Sequence, residues 1–221
     1  MRFDKIYIDV AMQCCKVGDI TAATALFEEM QNLQDFVPRV PPYNTMMQYF
    51  VVTSPNREKA LQYYEDMNRR NVRPSDHTYK LLLDCYGATQ PVNNAAMQNI
   101  FTQIEADRHI SVQGVHWAAV INSYGCVQSN IEEAQKIFES ISSHPSASTG
   151  LPDAVCYEAI LNACLVNNKP ELVEDYVERL RKQKVHSTAY VENDRIKVSL
   201  SVSSATQADI SLGLCRSKSI R

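Results

Sequence analysis

One recurring distance constrains this chain more than anything else in it. Phe27, Tyr64, Phe101 and Phe138 stand at successive steps of 37 residues, and three places beyond each comes Met30, Met67, Ile104 or Ile141. Two linked apolar columns at a fixed period of this length mark a repeated supersecondary unit. A further column lies upstream. Tyr7, Tyr43, Tyr79, Trp117 and Tyr157 open the stretches "YIDVAMQCC", "YNTMMQYF", "YKLLLDCY", "WAAVINSY" and "YEAILNAC" at steps of 36, 36, 38 and 40 residues, so the slack falls in the connections. In "VEDYVERL", Val177 and Leu180 take the places of the aromatic and the Met, giving a fifth and less regular copy.

Each unit reads as two helices, A then B. Ile20, Ala23, Phe27 and Met30 form one apolar stripe at helical period, and Ile131, Ala134, Phe138 and Ile141 repeat it. Ala23, Ala60 and Ala134, four residues before the aromatic, are small enough for a neighbouring helix to approach. Boundary signals agree. Pro55 after Ser54 is expected to open a B helix, Ser129 and Glu132 have capping-box spacing, and Pro170 precedes the first-turn acids Glu171 and Glu174. Pro38, Pro74 and Pro152 close units one, two and four.

A lone hairpin of this kind cannot bury its stripe, and stacked copies cover one another. The expected fold is all-α, a solenoid of about five helix-turn-helix repeats over residues 4–190, with units near 4–39, 40–75, 76–113, 114–153 and 154–186. The polar stretch "SSHPSASTG" (142–150) reads as a surface loop. Residues 191–221 read as an incomplete repeat followed by a Ser-rich, disordered tail.

Composition narrows the function classes. A hydrophobic fraction of 45% with 21% charged residues suits a folded protein. The formal charge of −3 lacks the basic excess common among polyanion binders. Seven cysteines, an odd number with no C-x-x-C, argue for free thiols rather than disulfides or zinc. His77 and His116 have no acidic or Cys partner at ligand spacing, so no metal is expected. No apolar run reaches the roughly 18 residues of a membrane helix. The first residues carry neither a secretory apolar stretch nor an Arg- and Ser-rich transit pattern, which leaves a protein not imported that way or a chain without its natural N-terminus. Phosphate-loop, zinc-protease and deaminase signatures are absent, so neither an enzyme nor a cofactor is expected.

Two families share a two-helix unit. With the opening aromatic counted as the fourth residue, the eighth is Ala11, Met47, Leu83, Ile121 or Leu161, never the Gly of tetratricopeptide repeats. The segments "YNTMMQYF…EKALQYYEDMNRRNVRPS" (43–75) and "CCKVGDITAATALFEEM" (14–30) resemble the pentatricopeptide repeat family instead. The junctions "VRPSDHTYKLLLDCYG" and "GLPDAVCYEAILNAC" share that resemblance.

The resemblance implies a right-handed solenoid that binds single-stranded RNA, one base per repeat, mostly in organelles. It implies base choice by the fifth and last residues of a unit and a wedge at the second. Carried over, Asn44 and Ser75 read a pyrimidine, cytosine favoured, beside the wedge Pro41. Lys80 and Gln113 stand beside His77, and Ala118 and Asp153 beside Val115. Ile8 with Arg39, and Glu158, depart from the usual pairs. Taken as residues alone, Asn44 reads equally as a helix-start residue, Lys80 as a solvated charge and Ala118 as packing.

The implied role is an adaptor in mitochondrial RNA stability, processing or translation, with no DNA and no membrane span. A cytoplasmic protein is the other compartment left open. The alternative role is a protein-binding scaffold within a ribonucleoprotein, suggested by the acidic balance and the irregular repeat lengths. Arg69, Arg70, Arg73, Arg179, Arg181 and Lys182 gather at B-helix ends, where they suit helix C-termini or a rim that steers phosphate.

Overall fold

The computed structural model describes residues 3–32, 39–144 and 150–183, so the tail, Pro38 and the middle of the 142–150 loop lie outside it. Ten α-helices occur among the described residues. They are α1 (Phe3–Val17), α2 (Ile20–Gln31), α3 (Val40–Gln48), α4 (Arg57–Arg69), α5 (Asp76–Gly87), α6 (Asn94–Ala106), α7 (Gly114–Asn122), α8 (Ile131–Ser140), α9 (Ala154–Val166) and α10 (Pro170–Lys182). α3 and α7 each run on into one π-helical turn, Tyr49–Thr53 and Ser123–Val127. The odd-numbered helices are the A helices and the even-numbered ones the B helices.

Each A helix packs on the next A helix, α1 on α3 through to α7 on α9, while the B helices meet chiefly A helices. Close A–A spacing with splayed B helices curves a stack so that its A face is concave. The solenoid expected from the apolar columns is the fold this chain adopts.

The packing gives the columns their physical reason. At three of the four unit junctions the B-helix aromatic of one unit meets the A-helix aromatic of the next. Phe27 lies edge-on to Tyr43 at 5.2 Å between centroids, Phe101 tilts against Trp117 at 4.5 Å, and Phe138 meets Tyr157 edge-on at 5.1 Å. The columns are therefore two halves of one joint, and aromatic pairs of this geometry contribute about 0.5–1.5 kcal/mol beyond their buried area. Ala23, Ala60 and Ala134 are all fully buried, as close helix approach requires.

The B-helix starts differ from expectation. α4 begins at Arg57 under Asn56, whose side chain accepts the Lys59 N–H at 3.0 Å, so the Ser54–Pro55 pair lies before the helix. α8 is capped by Asn130, which accepts the Glu133 N–H at 3.1 Å, while Ser129 takes a left-handed backbone with φ 53°. Asp19, Asn56, Asn93 and Asn130 are the caps, spaced by 37 residues like the aromatics. Each also ties back to its A helix, because its backbone N–H donates to Cys14, Phe50, Tyr86 or Tyr124 carbonyl oxygen at 2.7–2.9 Å. Asn and Asp win these places because the short side chain can cap while the main chain turns. Pro170 does open α10, as its position suggested.

Candidate nucleic-acid interface

Three residues per unit gather where each A helix begins. Arg39, Ser75, Gln113 and Asp153 are the N-caps of α3, α5, α7 and α9. Pro41, His77 and Val115 occupy the second helical position, and Asn44, Lys80 and Ala118 the fifth. A column invisible as a motif locks these helix starts together. Thr78, His116 and Cys156 at the third position each reach the preceding A helix. The Thr78 hydroxyl donates to Asn44 Oδ1 at 2.8 Å, His116 Nε2 bonds the Asp76 carbonyl at 3.0 Å, and the Cys156 thiol donates to the Gly114 carbonyl at 3.5 Å. The A-helix N-termini therefore lie side by side, and their unpaired N–H groups favour anions along that edge.

Unit two is the best-formed position. Asn44 Nδ2 donates to Ser75 Oγ at 3.3 Å across the unit boundary. Thr78 also accepts the Ser75 N–H at 3.0 Å, and Ser75 Oγ accepts the Thr78 N–H at 3.3 Å, a reciprocal cap. With Oδ1 held by Thr78, the Asn44 amide is fixed in one orientation and keeps a second Nδ2 hydrogen. Asn44 itself is buried at 8% exposure, while Pro41 and His77 at the second positions of α3 and α5 are exposed.

The other positions are arranged differently. Lys80 pairs with Asp84 one turn along α5, and among the described residues no hydrogen bond joins it to Gln113. Burial raises the Asp84 carboxyl above its usual range, with Lys80 opposing. Burial also lowers the pKa of His77, and Lys80 adds to that. Ala118 is buried at 5% exposure, and Asp153 caps α9 by accepting the Cys156 N–H at 3.0 Å. The Asp153 carboxylate lies against Gly114, so close that a Cβ there would fall 1.9 Å from Oδ2. Arg39 and Glu158 lie in register with these columns, and the Ile8 side chain is outside the described residues. Val155, at 37% exposure in the second position of α9, completes the Pro41, His77 and Val115 column. Its offset from Tyr157 equals that of Val115 from Trp117, a signal the sequence carried.

His116 is fully buried and makes both of its ring bonds as a neutral imidazole. Nδ1 accepts the Gln113 N–H at 3.1 Å, which leaves Nε2 to donate to Asp76. Burial foremost lowers its pKa below the ordinary histidine value. The six described cysteines are free, with burial pushing Cys85 up to about 11 and Cys164 to about 12. Among the described residues no group of His, Cys, Asp or Glu could hold a metal ion.

Comparison with known proteins identifies the repeats. A model of the PPR repeat family fits residues 38–87, and one of the PPR repeat fits residues 10–34. The chain carries pentatricopeptide repeats. It is 33% identical over 168 residues to the Schizosaccharomyces pombe pentatricopeptide repeat-containing protein 5, mitochondrial, covering 76% of this chain and 13% of that protein. It is 28% identical over 183 residues to the Arabidopsis thaliana pentatricopeptide repeat-containing protein At5g08510, covering 81% of this chain and 33% of the relative. Less than two thirds of either relative is thus spanned.

Two solved pentatricopeptide repeat structures share the fold. PPR10 in complex with an 18-nt psaJ RNA element superposes with TM-score 0.60 at 18% identity, over 87% of this chain and 26% of that one. The PPR domain of Arabidopsis thaliana protein-only RNase P 1, in complex with tRNA, gives TM-score 0.56 at 14% identity, over 86% and 95%. No described helix is long and apolar enough to cross a membrane.

Proposed function

We propose that this pentatricopeptide repeat array binds single-stranded RNA along its A-helix edge, without catalysing a reaction. The observation that carries the reading is the Asn44–Ser75 contact across the unit boundary, with Thr78 fixing the amide. An unstacked base inserted between Pro41 and His77 would take the remaining Nδ2 hydrogen of Asn44, which suits the carbonyl and ring acceptors of a pyrimidine, cytosine favoured. The neighbouring helix N-termini supply favourable potential for the phosphates. Lys80 with Gln113, and Ala118 with Asp153, take the same places in units three and four, flanked by His77 and Val115.

PPR10 and the RNase P 1 domain in their RNA complexes support the binding class. The name of the fission-yeast relative supports a mitochondrial compartment, and an adaptor role there in RNA stability, processing or translation is part of the proposal. A protein-binding scaffold is the second reading, favoured by the internal pairing of Lys80 with Asp84 and the burial of Ala118.

The test is an anisotropy titration with pooled single-stranded RNA at low and at physiological salt, comparing wild type with Asn44→Ala. RNA binding weakens as salt rises, and the variant loses about fivefold in affinity together with its base preference, as expected for one lost hydrogen bond. Absence of binding at low salt refutes RNA recognition by this chain and leaves the scaffold reading.

A further inference from the structure

In units two to five the fifth position of the A helix holds Asn44, Lys80, Ala118 and Glu158. One turn further along come Gln48, Asp84, Asn122 and Asn162. Lys80 is the one cation of the first column and Asp84 the one acid of the second, and both belong to α5. The Lys80 ammonium is bonded to Asp84 Oδ2, and among the described residues neither group makes another hydrogen bond. The Asp84 side chain is 19% exposed and that of Lys80 35%, so the ammonium is the partner with the wider route to solvent.

Helix stability does not account for this pair. With the cation N-terminal to the acid, the i,i+4 order is the weaker of the two. Packing does not call for the charge either, since burial disfavours the ionised Asp84 carboxyl and raises its pKa. The neighbouring A helices offer no other ion: α3 has no charged side chain, and α7 has only His116, neutral and bonded to the Asp76 carbonyl. His77, one turn before Lys80, adds no cation near neutral pH, because burial and Lys80 both lower its pKa.

We propose that Asp84 masks Lys80, so that unit three meets RNA without an ionic contact although its fifth position is a lysine. This masking presupposes that the A-helix edge binds RNA. Freed of Asp84, the ammonium stands one unit along from the Asn44 amide and pairs with a backbone phosphate. The acid one turn along α5 thus sets how strongly, and how dependently on salt, this edge holds its strand.

The test is an anisotropy titration with pooled single-stranded RNA at about 50 mM and about 200 mM salt. Asp84→Asn keeps the side-chain shape and tightens binding about two- to fivefold at the lower salt, the worth of an exposed ion pair. Its salt slope steepens by about 0.7, as for one added phosphate contact on a single strand. The double variant Lys80→Met with Asp84→Asn binds as wild type does, because the pair it removes is electrically silent. Glu132→Gln, the same change of charge on the B helix α8, leaves affinity unchanged. Thermal melts confirm that each variant is folded.

Three results overturn the masking while wild type binds RNA. They are an Asp84→Asn affinity no tighter than wild type, an equal gain in Glu132→Gln, which marks diffuse attraction, or a double variant weaker than wild type, which shows Lys80 already in contact. No binding by any of these proteins at low salt refutes the RNA-binding edge itself, and the masking with it.

Discussion

Gly125→Ala tests the packing that holds units four and five together. Gly125 lies in the π-helical turn ending the A helix of unit four. A Cβ at this position would stand 2.3 Å from Ala163 Cβ and 3.2 Å from Ala134 Cβ. Carbon atoms pack at about 3.5–4.0 Å, so α9 must retreat by more than about 1 Å. Neither alanine has a rotamer to change, and both are fully buried, which leaves only backbone movement. That movement also stretches the bond from Asn167 Nδ2 to the Gly125 carbonyl, now 2.7 Å.

Overpacking costs about 1–3 kcal/mol and the strained hydrogen bond about 0.5–1.5 kcal/mol, so the expected loss is roughly 2–4 kcal/mol. In a thermal melt followed by circular dichroism this lowers Tm by roughly 5–15 °C for a chain of this size. Gly18→Ala is the control, since nothing lies within 4 Å of its Cβ and only the φ of 83° opposes a side chain. Its cost is about 1–2 kcal/mol. A Gly125→Ala Tm within about 2 °C of wild type, or a larger drop for Gly18→Ala, would refute the reasoning.

Three further outcomes are expected. Thr78→Val keeps the shape but strips Asn44 Oδ1 and the Ser75 N–H of their partner, which costs about 2 kcal/mol; a urea midpoint equal to wild type contradicts this. His116 binds protons less readily folded than unfolded, so its contribution to stability is present above pH about 6.5 and is lost as pH falls below that value. Urea unfolding across this range shows the decline, and His116→Gln flattens it; an unchanged slope in the variant assigns the decline to other groups. Arg179→Ala removes a partly exposed ion pair and the cover over two rings, costing about 1 kcal/mol, and a double-mutant cycle with Glu139→Gln separates the two parts.

The legible and illegible features divide by range. Phe27 and Tyr43 were legible because each recurs at a fixed offset, and recurrence survives ignorance of the contact between them. The Asn44–Ser75 juxtaposition followed from the same periodicity once the family resemblance gave the positions a meaning. The caps were misplaced by one or two residues because Ser54–Pro55 and Ser129 carry local signals of their own. Only the bond from the cap N–H back to Phe50 or Tyr124 shows which residue starts the helix. Thr78, His116 and Cys156 share no side-chain chemistry, so no motif could reveal that they perform one task between neighbouring units.

The sequence by itself determined the period, the helical hairpin and the stacking, because an apolar stripe repeated at constant spacing has one economical way to leave water. Tertiary structure alone decided which polar groups are satisfied within the fold and which face outward. It buried Ala118, fixed the Asn44 amide against Thr78 and brought Arg179 onto Glu139. Such outcomes depend on ångström distances between side chains some 30–40 residues apart, and the register that sets those distances exists only after the helices have packed.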